Sequence, residues 1–249
     1  MRLLLVHGWA TSPAVWDGQG ALDRRFDLLP VHLPGHGGEG RWGEPGLGPG
    51  IRMIESILMD GRPTLAVGWS LGGALLFALA ARGLPALKGV VSVGAFPSFV
   101  RREDFPFGLR PAAVLRMKKD ILNDPEETLE RFYALNFSET EKKKPDYDRW
   151  FSILRDARKD LIISDLLNGL DALLREDLRE RLSEIRLPVL LIHGTEDGVC
   201  PYPVSSFLLG TIAGSRRLTM NGSGHAPFLT RSLEFNRAIE EFASDQMGS

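Results

Sequence analysis

The chain contains very little cysteine, since Cys200 is the only one in 249 residues. A single cysteine excludes an internal disulfide and is typical of a reducing compartment, so the sequence predicts a cytoplasmic protein. No apolar run approaches the roughly 20 residues that span a bilayer. The formal net charge of −2 gives no support for nucleic-acid binding. We therefore expect a soluble globular monomer without membrane or nucleic-acid partners, and without cofactor or metal.

Short apolar runs alternate with helical patterns along the chain. This alternation is typical of an α/β protein with a mostly parallel sheet and helices on both faces. Turn residues follow each predicted strand, and in such sheets the active site lies at the carboxyl ends of the strands. The predicted strands are Leu3–His7, Phe26–His32, Thr64–Gly68, Gly89–Gly94, Val189–His193 and Arg217–Met220.

The pattern changes between the fourth and fifth predicted strands, where residues 99–186 contain no convincing strand. We interpret them as an inserted helical lid on a core made of residues 1–98 and 187–249. A set of helices packed beside the sheet is the alternative. Pro125 after Asp124 is typical of a helix start. The helices predicted in the lid are Ala112–Ile121, Pro125–Asn136, Tyr147–Arg158 and Leu161–Arg175.

The most informative motif is Gly68-Trp69-Ser70-Leu71-Gly72-Gly73, which lies between an apolar run and an Ala/Leu-rich helical pattern. This is G-x-S-x-G where a strand runs into a helix. The serine occupies a tight, strained turn, and the residues two positions away must lack Cβ atoms so that the backbones can pass. The pattern predicts that Ser70 is a nucleophile and that the Leu71 N–H stabilises negative charge.

A serine nucleophile requires a base, and a histidine base requires a carboxylate partner. Only His225 lies far enough downstream of Ser70 with a well-placed carboxylate between them. Asp197 is the preferred acid, because the glycine after it permits a turn that aims a short side chain inward. We interpret Glu196 as solvated or turn-stabilising, and Asp165 in the helical block is a more remote alternative.

The oxyanion hole requires a second N–H donor in addition to Leu71. The loop after the first strand, His7-Gly8-Trp9, offers the Trp9 N–H. The Trp9 indole can wall the site while its amide donates. We expect His7 to hold this loop through hydrogen bonds rather than to act as a base.

Together, these motifs resemble the α/β-hydrolase superfamily. More narrowly, they resemble the family of pimeloyl-[acyl-carrier protein] methyl ester esterases, carboxylesterases of biotin biosynthesis. The resemblance spans nearly the whole chain, and its residues are His7–Trp9, Leu33–Gly37, Gly68–Gly73, Gly194–Asp197, Gly224–Phe228 and the lid segment Glu130–Asn136.

The resemblance implies a Ser70, Asp197 and His225 triad with an oxyanion hole formed by Trp9 and Leu71. It also implies a set of residues that contact substrate. They are Trp9, Ser70, Leu71, His225, Phe132, Tyr133, Ala134, Leu135 and Asn136. Arg131 would belong to a basic patch that receives an acyl carrier protein. The lid's basic residues are arranged differently from the family pattern, because they include Lys142, Lys143 and Lys144. These lysines would belong to the same patch, although a charge run is usually a solvated face.

The expected function is hydrolysis of an acyl methyl ester, with a pimeloyl-carrier-protein methyl ester as substrate. A broad-specificity carboxylesterase and a lyase of menaquinone synthesis on the same triad are alternatives. A non-catalytic binding protein of the same fold is the option from a different class. The aromatic residues of the lid suggest an apolar acyl channel. They could equally form the lid's own core, which is the commoner role. These residues are Phe105, Phe107, Phe132, Tyr133 and Phe137.

Overall fold

The computed structural model describes residues 1–38, 40–158 and 160–247. A parallel six-stranded sheet in the order β2-β1-β3-β4-β5-β6 forms its centre. Three of the six strands are buried along their whole length, and their apolar sequences are expected for a sheet covered on both faces. All six predicted strands are confirmed to within two residues at either end. They are β1 Arg2–Val6, β2 Asp27–Val31, β3 Thr64–Trp69, β4 Leu87–Val93, β5 Val189–Gly194 and β6 Arg216–Met220.

The strand order places the functional loops next to each other. The chain passes from β1 outward to β2, returns to β3 on the other side of β1, and then continues outward to β6. In sheets of this kind, ligands bind where the strand order reverses, outside the carboxyl ends of the strands. The loop after β1 and the turn after β3 meet there, since Val6 pairs in register with Gly68.

The helices form a cover on the sheet and an insertion between β4 and β5. The cover includes α1 Gly48–Leu58, α2 Leu71–Ala80, α7 Pro203–Thr211, α8 Pro227–Thr230 and α9 Ser232–Met247. Among the described residues between β4 and β5, four helices lie close to the predicted bounds: α3 Pro111–Asn123, α4 Pro125–Ala134, α5 Tyr147–Asp156 and α6 Ile163–Arg175. Short 3-10 segments are Pro13–Arg24, Glu141–Lys143 and Glu180–Glu184.

The start of α4 follows the chemistry of a helix N-cap. Asp124 accepts a hydrogen bond from the Glu127 N–H at 3.0 Å, and Pro125 occupies the first helical turn, where no N–H is needed. The division of the chain into a core and a lid stays a prediction. No helix in the described ranges combines the length and the apolar character needed to cross a membrane.

Candidate active site

Ser70 lies in the strained turn that the sequence predicts. Its φ of 54° is in the left-handed region, and within the described ranges only one other non-glycine residue, Ala10, has a positive φ. Such a conformation costs on the order of 1–3 kcal/mol. A Cβ on Gly68 would lie 2.6 Å from the Gly72 backbone, and a Cβ on Gly72 would lie 2.4 Å from the Val6 oxygen. The two glycines therefore permit the close approach of β1, β3 and α2 that presents Ser70.

His225 and Asp197 form a buried hydrogen-bonded pair. His225 Nδ1 lies 2.7 Å from Asp197 Oδ2, and the side chains are 1% and 0% exposed. Asp197 Oδ1 accepts the N–H groups of Val199 at 2.8 Å and Cys200 at 2.7 Å. Burial raises the pKa of the Asp197 carboxyl, but the charge of His225 and hydrogen bonds from His193 and His225 outweigh burial and hold that pKa below its usual range.

The ionised carboxylate fixes the orientation and the tautomer of the imidazole. In the neutral imidazole, Nδ1 donates its hydrogen to Asp197, and the other ring nitrogen, Nε2, carries a lone pair. His225 Nε2 is buried and has no hydrogen-bond partner in the described structure. Ser70 Oγ therefore does not bond to it here, and such bonds are often long before substrate binds. An unpaired basic nitrogen suits proton abstraction, and its loop contacts Trp69, the residue before the strained serine.

Two further contacts, which local sequence patterns do not reveal, brace this pair. Trp69 donates from Nε1 to the His225 carbonyl at 2.9 Å, so the residue before Ser70 holds the histidine loop. His193 Nε2 lies 2.8 Å from the Cys200 carbonyl and 3.4 Å from Asp197 Oδ2. His193 thus ties down the turn that carries the acid.

The loop after β1 is held from the core by His7. The Leu33 N–H donates to His7 Nε2 at 3.1 Å, and His7 Nδ1 lies 2.8 Å from the Gly8 carbonyl. Both bonds require a neutral ring with its hydrogen on Nδ1. Burial and the neighbouring His36 lower the pKa of His7 well below its usual value, so this neutral form is favoured. This geometry agrees with the interpretation of His7 as a support for the loop.

The same loop is held from the other side by the inserted helices. Tyr133 of α4 donates its hydroxyl to the Ala10 carbonyl at 2.6 Å, and Trp9 donates from Nε1 to the Leu166 carbonyl of α6 at 3.0 Å. The Phe132 ring meets the Trp9 indole edge-on at 5.1 Å. Among the described residues, neither the Trp9 nor the Leu71 backbone N–H donates a hydrogen bond. Both N–H groups are therefore available to a ligand.

The segment expected to contact substrate from the lid also supports the histidine loop. The Asn136 carbonyl accepts the N–H of His225 at 2.8 Å and that of Ala226 at 3.3 Å. Tyr133 and Asn136 are fully buried, and Phe132 and Ala134 are half-buried. Leu135 is 50% exposed. Substrate contact by this segment stays a prediction.

A mostly apolar cavity opens beside Ser70. Glu176 is the one ionisable residue in its lining. The predicted lid aromatics lie elsewhere. Phe105 packs edge-on against Phe107 at 5.3 Å, and Phe137 packs against Tyr147 at the same distance. The cavity is lined by Leu47, Ser70, Leu71, Ala74, Phe96, Pro97, Phe99, Leu173, Glu176 and Leu178.

The alternative carboxylates are placed away from His225. Asp165 is buried and accepts two hydrogen bonds from Arg41, at 2.8 and 2.9 Å, and one from the Trp42 N–H. The Arg41 hydrogen bonds hold the pKa of Asp165 below its usual value. Asp165 therefore anchors α6 to the loop after β2, and Glu196 is exposed to solvent.

The residues of the expected carrier-protein patch differ in their surroundings. Arg131 forms an ion pair with Glu127 at 2.8 Å, and Lys142 pairs with Glu139 at 2.7 Å. Lys143 and Lys144 are exposed, and within the described ranges neither forms an ion pair. No group of three or more metal-ligating side chains occurs in the part of the chain that the structure describes.

Nearly the whole chain is similar to known proteins. Residues 3–238 match a model described as the alpha/beta hydrolase family. The chain is 31% identical over 245 residues to a pimeloyl-[acyl-carrier protein] methyl ester esterase from Yersinia enterocolitica, covering 97% of this chain and 92% of that protein. It is 32% identical over 240 residues to one from Nitrosomonas europaea, covering 94% and 92%.

A solved esterase from Exiguobacterium antarcticum has the same fold. The two structures superpose with a TM-score of 0.90 and share 23% sequence identity. The superposition covers 98% of this chain and 92% of the esterase chain.

Proposed function

The chain belongs to the alpha/beta hydrolase family, and on that premise we propose that it is a cytoplasmic serine carboxylesterase of biotin biosynthesis. Its substrate would be a pimeloyl methyl ester carried on acyl carrier protein. The observation that carries the ester-hydrolase assignment is the buried His225–Asp197 pair with an unpartnered Nε2. Its loop is hydrogen-bonded to Trp69, which precedes Ser70 in its strained turn. The relatives' names support the choice of substrate.

In the first half of the reaction, the ester carbonyl lies against Ser70 in the adjoining cavity. His225 Nε2 takes the Ser70 hydroxyl proton while Oγ attacks the carbonyl carbon. The Trp9 and Leu71 N–H groups bind the oxyanion that forms. Removal of one such donor typically costs about 100- to 1000-fold in rate. His225 then gives its proton to the departing methoxide, so that methanol leaves and an acyl-enzyme remains.

In the second half, water attacks the acyl-enzyme. His225 Nε2 takes one proton from the water, and the oxygen adds to the carbonyl carbon through the same oxyanion geometry. Collapse of this intermediate returns the proton to Ser70 Oγ and releases the free carboxylic acid. Asp197 remains ionised throughout, because its hydrogen bonds and the charge of His225 stabilise the carboxylate.

Turnover of the carrier-linked substrate tests this proposal directly. Purified protein is incubated with pimeloyl-acyl carrier protein methyl ester, and the loss of the methyl group is followed by mass spectrometry. We expect demethylation by the wild type and none by Ser70→Ala, whose thermal unfolding should be unchanged. We also expect the gene to restore growth of a biotin auxotroph that lacks this esterase. Hydrolysis of short activated esters alone would reduce the assignment to a general carboxylesterase.

Docking of a carrier protein on the lid has a separate test. Charge reversal of Lys142, Lys143 and Lys144 should raise KM for the carrier-linked ester, because an acidic carrier protein would lose its attraction to the patch. Turnover of a small free methyl ester should not change, since it does not use that surface. Equal effects on both substrates would reject docking at these lysines.

A further inference from the structure

Glu141 is buried in the inserted region, only 2% exposed, although its neighbours Lys142–Lys144 are in contact with solvent. Part of its environment is a local capping box, Ser138-x-x-Glu141. The Ser138 N–H donates to Glu141 Oε2 at 2.9 Å, and the Glu141 N–H donates to Ser138 Oγ at 3.1 Å. Such a box normally stabilises only the short turn in which it lies.

The rest of the Glu141 environment comes from the loop that carries His225. The Gly224 N–H donates to Glu141 Oε2 at 2.9 Å, and the Thr230 hydroxyl donates to Oε1 at 2.5 Å. These donors lie 83 and 89 residues away in the chain and flank His225 on both sides. Both carboxylate oxygens are therefore engaged by the histidine loop, and hydrogen bonds to an ionised carboxylate are roughly twice as strong as neutral ones.

The two segments also fit closely around this carboxylate. A Cβ on Gly224 would lie 2.5 Å from the Asn136 carbonyl oxygen and 2.8 Å from the Ser138 nitrogen, so only glycine permits this approach. The Asn136 carbonyl accepts the His225 N–H, and Ser138 donates its hydroxyl to the Gly222 carbonyl at 2.8 Å. The chain from Asn136 to Glu141 thus packs against the chain from Gly222 to Thr230 and is hydrogen-bonded to it.

We infer that Glu141 is a positioning residue for His225, through which the inserted helices hold the base of the proposed esterase in place. This inference rests on the proposed function. Loss of the carboxylate would leave the buried Gly224 N–H and Thr230 hydroxyl unpaired. It would also weaken the contact between the His225 loop and residues 136–141. A misplacement of about 1 Å at a catalytic group can cost roughly 100-fold in rate. The turnover rate rather than substrate affinity should change, because Glu141 does not line the cavity beside Ser70.

The test compares Glu141→Ala, Glu141→Gln and the matched control Glu139→Gln, assayed with a p-nitrophenyl ester. We expect Glu141→Ala to lower kcat about 100-fold, with KM changed less than about threefold. Glu141→Gln should recover most of this loss, because its amide oxygen accepts both backbone N–H groups and its NH2 donates to Thr230. Glu139 lies in the same turn but its side chain is 79% exposed, so its variant should behave as wild type.

A double-mutant cycle with His225→Ala separates positioning from general damage. If Glu141 acts through His225, Glu141→Ala should have little further effect once His225 is absent, where residual catalysis remains measurable. Wild-type kcat in Glu141→Ala, or a full additional loss in the His225→Ala background, would overturn the inference.

Two controls separate the inference from protein folding and from the proposed function. Thr230→Val removes only the hydrogen bond from Thr230 to Glu141 and is the deciding variant if Glu141→Ala does not fold. A lower kcat with an unchanged melting temperature supports the inference. A wild-type kcat refutes it. A wild-type protein without esterase activity would instead refute the proposed function.

Discussion

Replacement of Asp197 by Asn should disable the site through the tautomer of His225, with little change in shape. Two backbone N–H groups, from Val199 and Cys200, donate to Asp197 Oδ1. The amide oxygen of Asn must take that position, because an NH2 group there would leave two buried donors unpaired at about 1–3 kcal/mol each. The amide NH2 then occupies the Oδ2 position, 2.7 Å from His225 Nδ1.

An NH2 group at that position donates where the carboxylate accepts. His225 Nδ1 must then become the acceptor, and its hydrogen moves to Nε2, the atom that has to take the proton of Ser70. The wrong tautomer in such a triad lowers kcat about 10,000-fold. We expect a loss of this size in Asp197→Asn, with KM for a p-nitrophenyl ester almost unchanged and with the fold retained.

Glu196→Gln is the matched control, because it makes the same chemical change one residue away on an exposed side chain. It should keep kcat within about twofold of wild type, as surface substitutions usually have small effects. Both variants are compared by steady-state kinetics and thermal unfolding. A folded Asp197→Asn with kcat within tenfold of wild type would refute the assigned roles of Asp197 and His225.

Two other perturbations probe the loop after β1 and the buried histidines. Tyr133→Phe leaves the Ala10 carbonyl without its hydrogen bond, so the free energy of unfolding in urea should fall by about 1–3 kcal/mol. The kcat should also fall, because this hydrogen bond holds the loop that carries the Trp9 N–H. An unchanged kcat would contradict this role of Tyr133. Burial lowers the pKa of His36 from 6.5 to about 4. Between these values the unfolded state binds the extra proton, so His36 should lower the free energy of unfolding by about 3 kcal/mol as pH drops from 6.5 to 4, in addition to the fall caused by His7. His36→Asn should flatten this slope in urea unfolding, and an unchanged slope would contradict the assignment to His36.

Local patterns were sufficient to predict the sheet and the strained turn at Ser70. The glycines at positions 68 and 72 identify the turn at Ser70, because a Cβ at either position would collide with backbone. Asp197 could be preferred over Glu196 because a glycine follows it and permits the inward turn. Each of these signals lies within a few residues of the group that it identifies.

Apart from His7, the supports of the site could not be predicted, since they depend on contacts between distant segments. Glu141 resembles an ordinary capping residue beside a lysine run, and only the approach of Gly224, 83 residues away, shows what else it binds. Tyr133 and Asn136 were expected to contact substrate. Their polar atoms also hold the loops of Trp9 and His225, and nothing in the spacing of α4 indicates which carbonyl or N–H lies opposite.

Covalent trapping tests the central claim that Ser70 is a nucleophile activated by His225. The protein is incubated with a p-nitrophenyl phosphonate ester, and the modified residue is located by peptide mass spectrometry while esterase activity is followed in parallel. We expect one phosphonyl group per chain on Ser70, loss of activity in proportion to labelling, and very slow labelling of His225→Ala. A label on another residue that abolishes activity, or full activity after Ser70 is labelled, would contradict it.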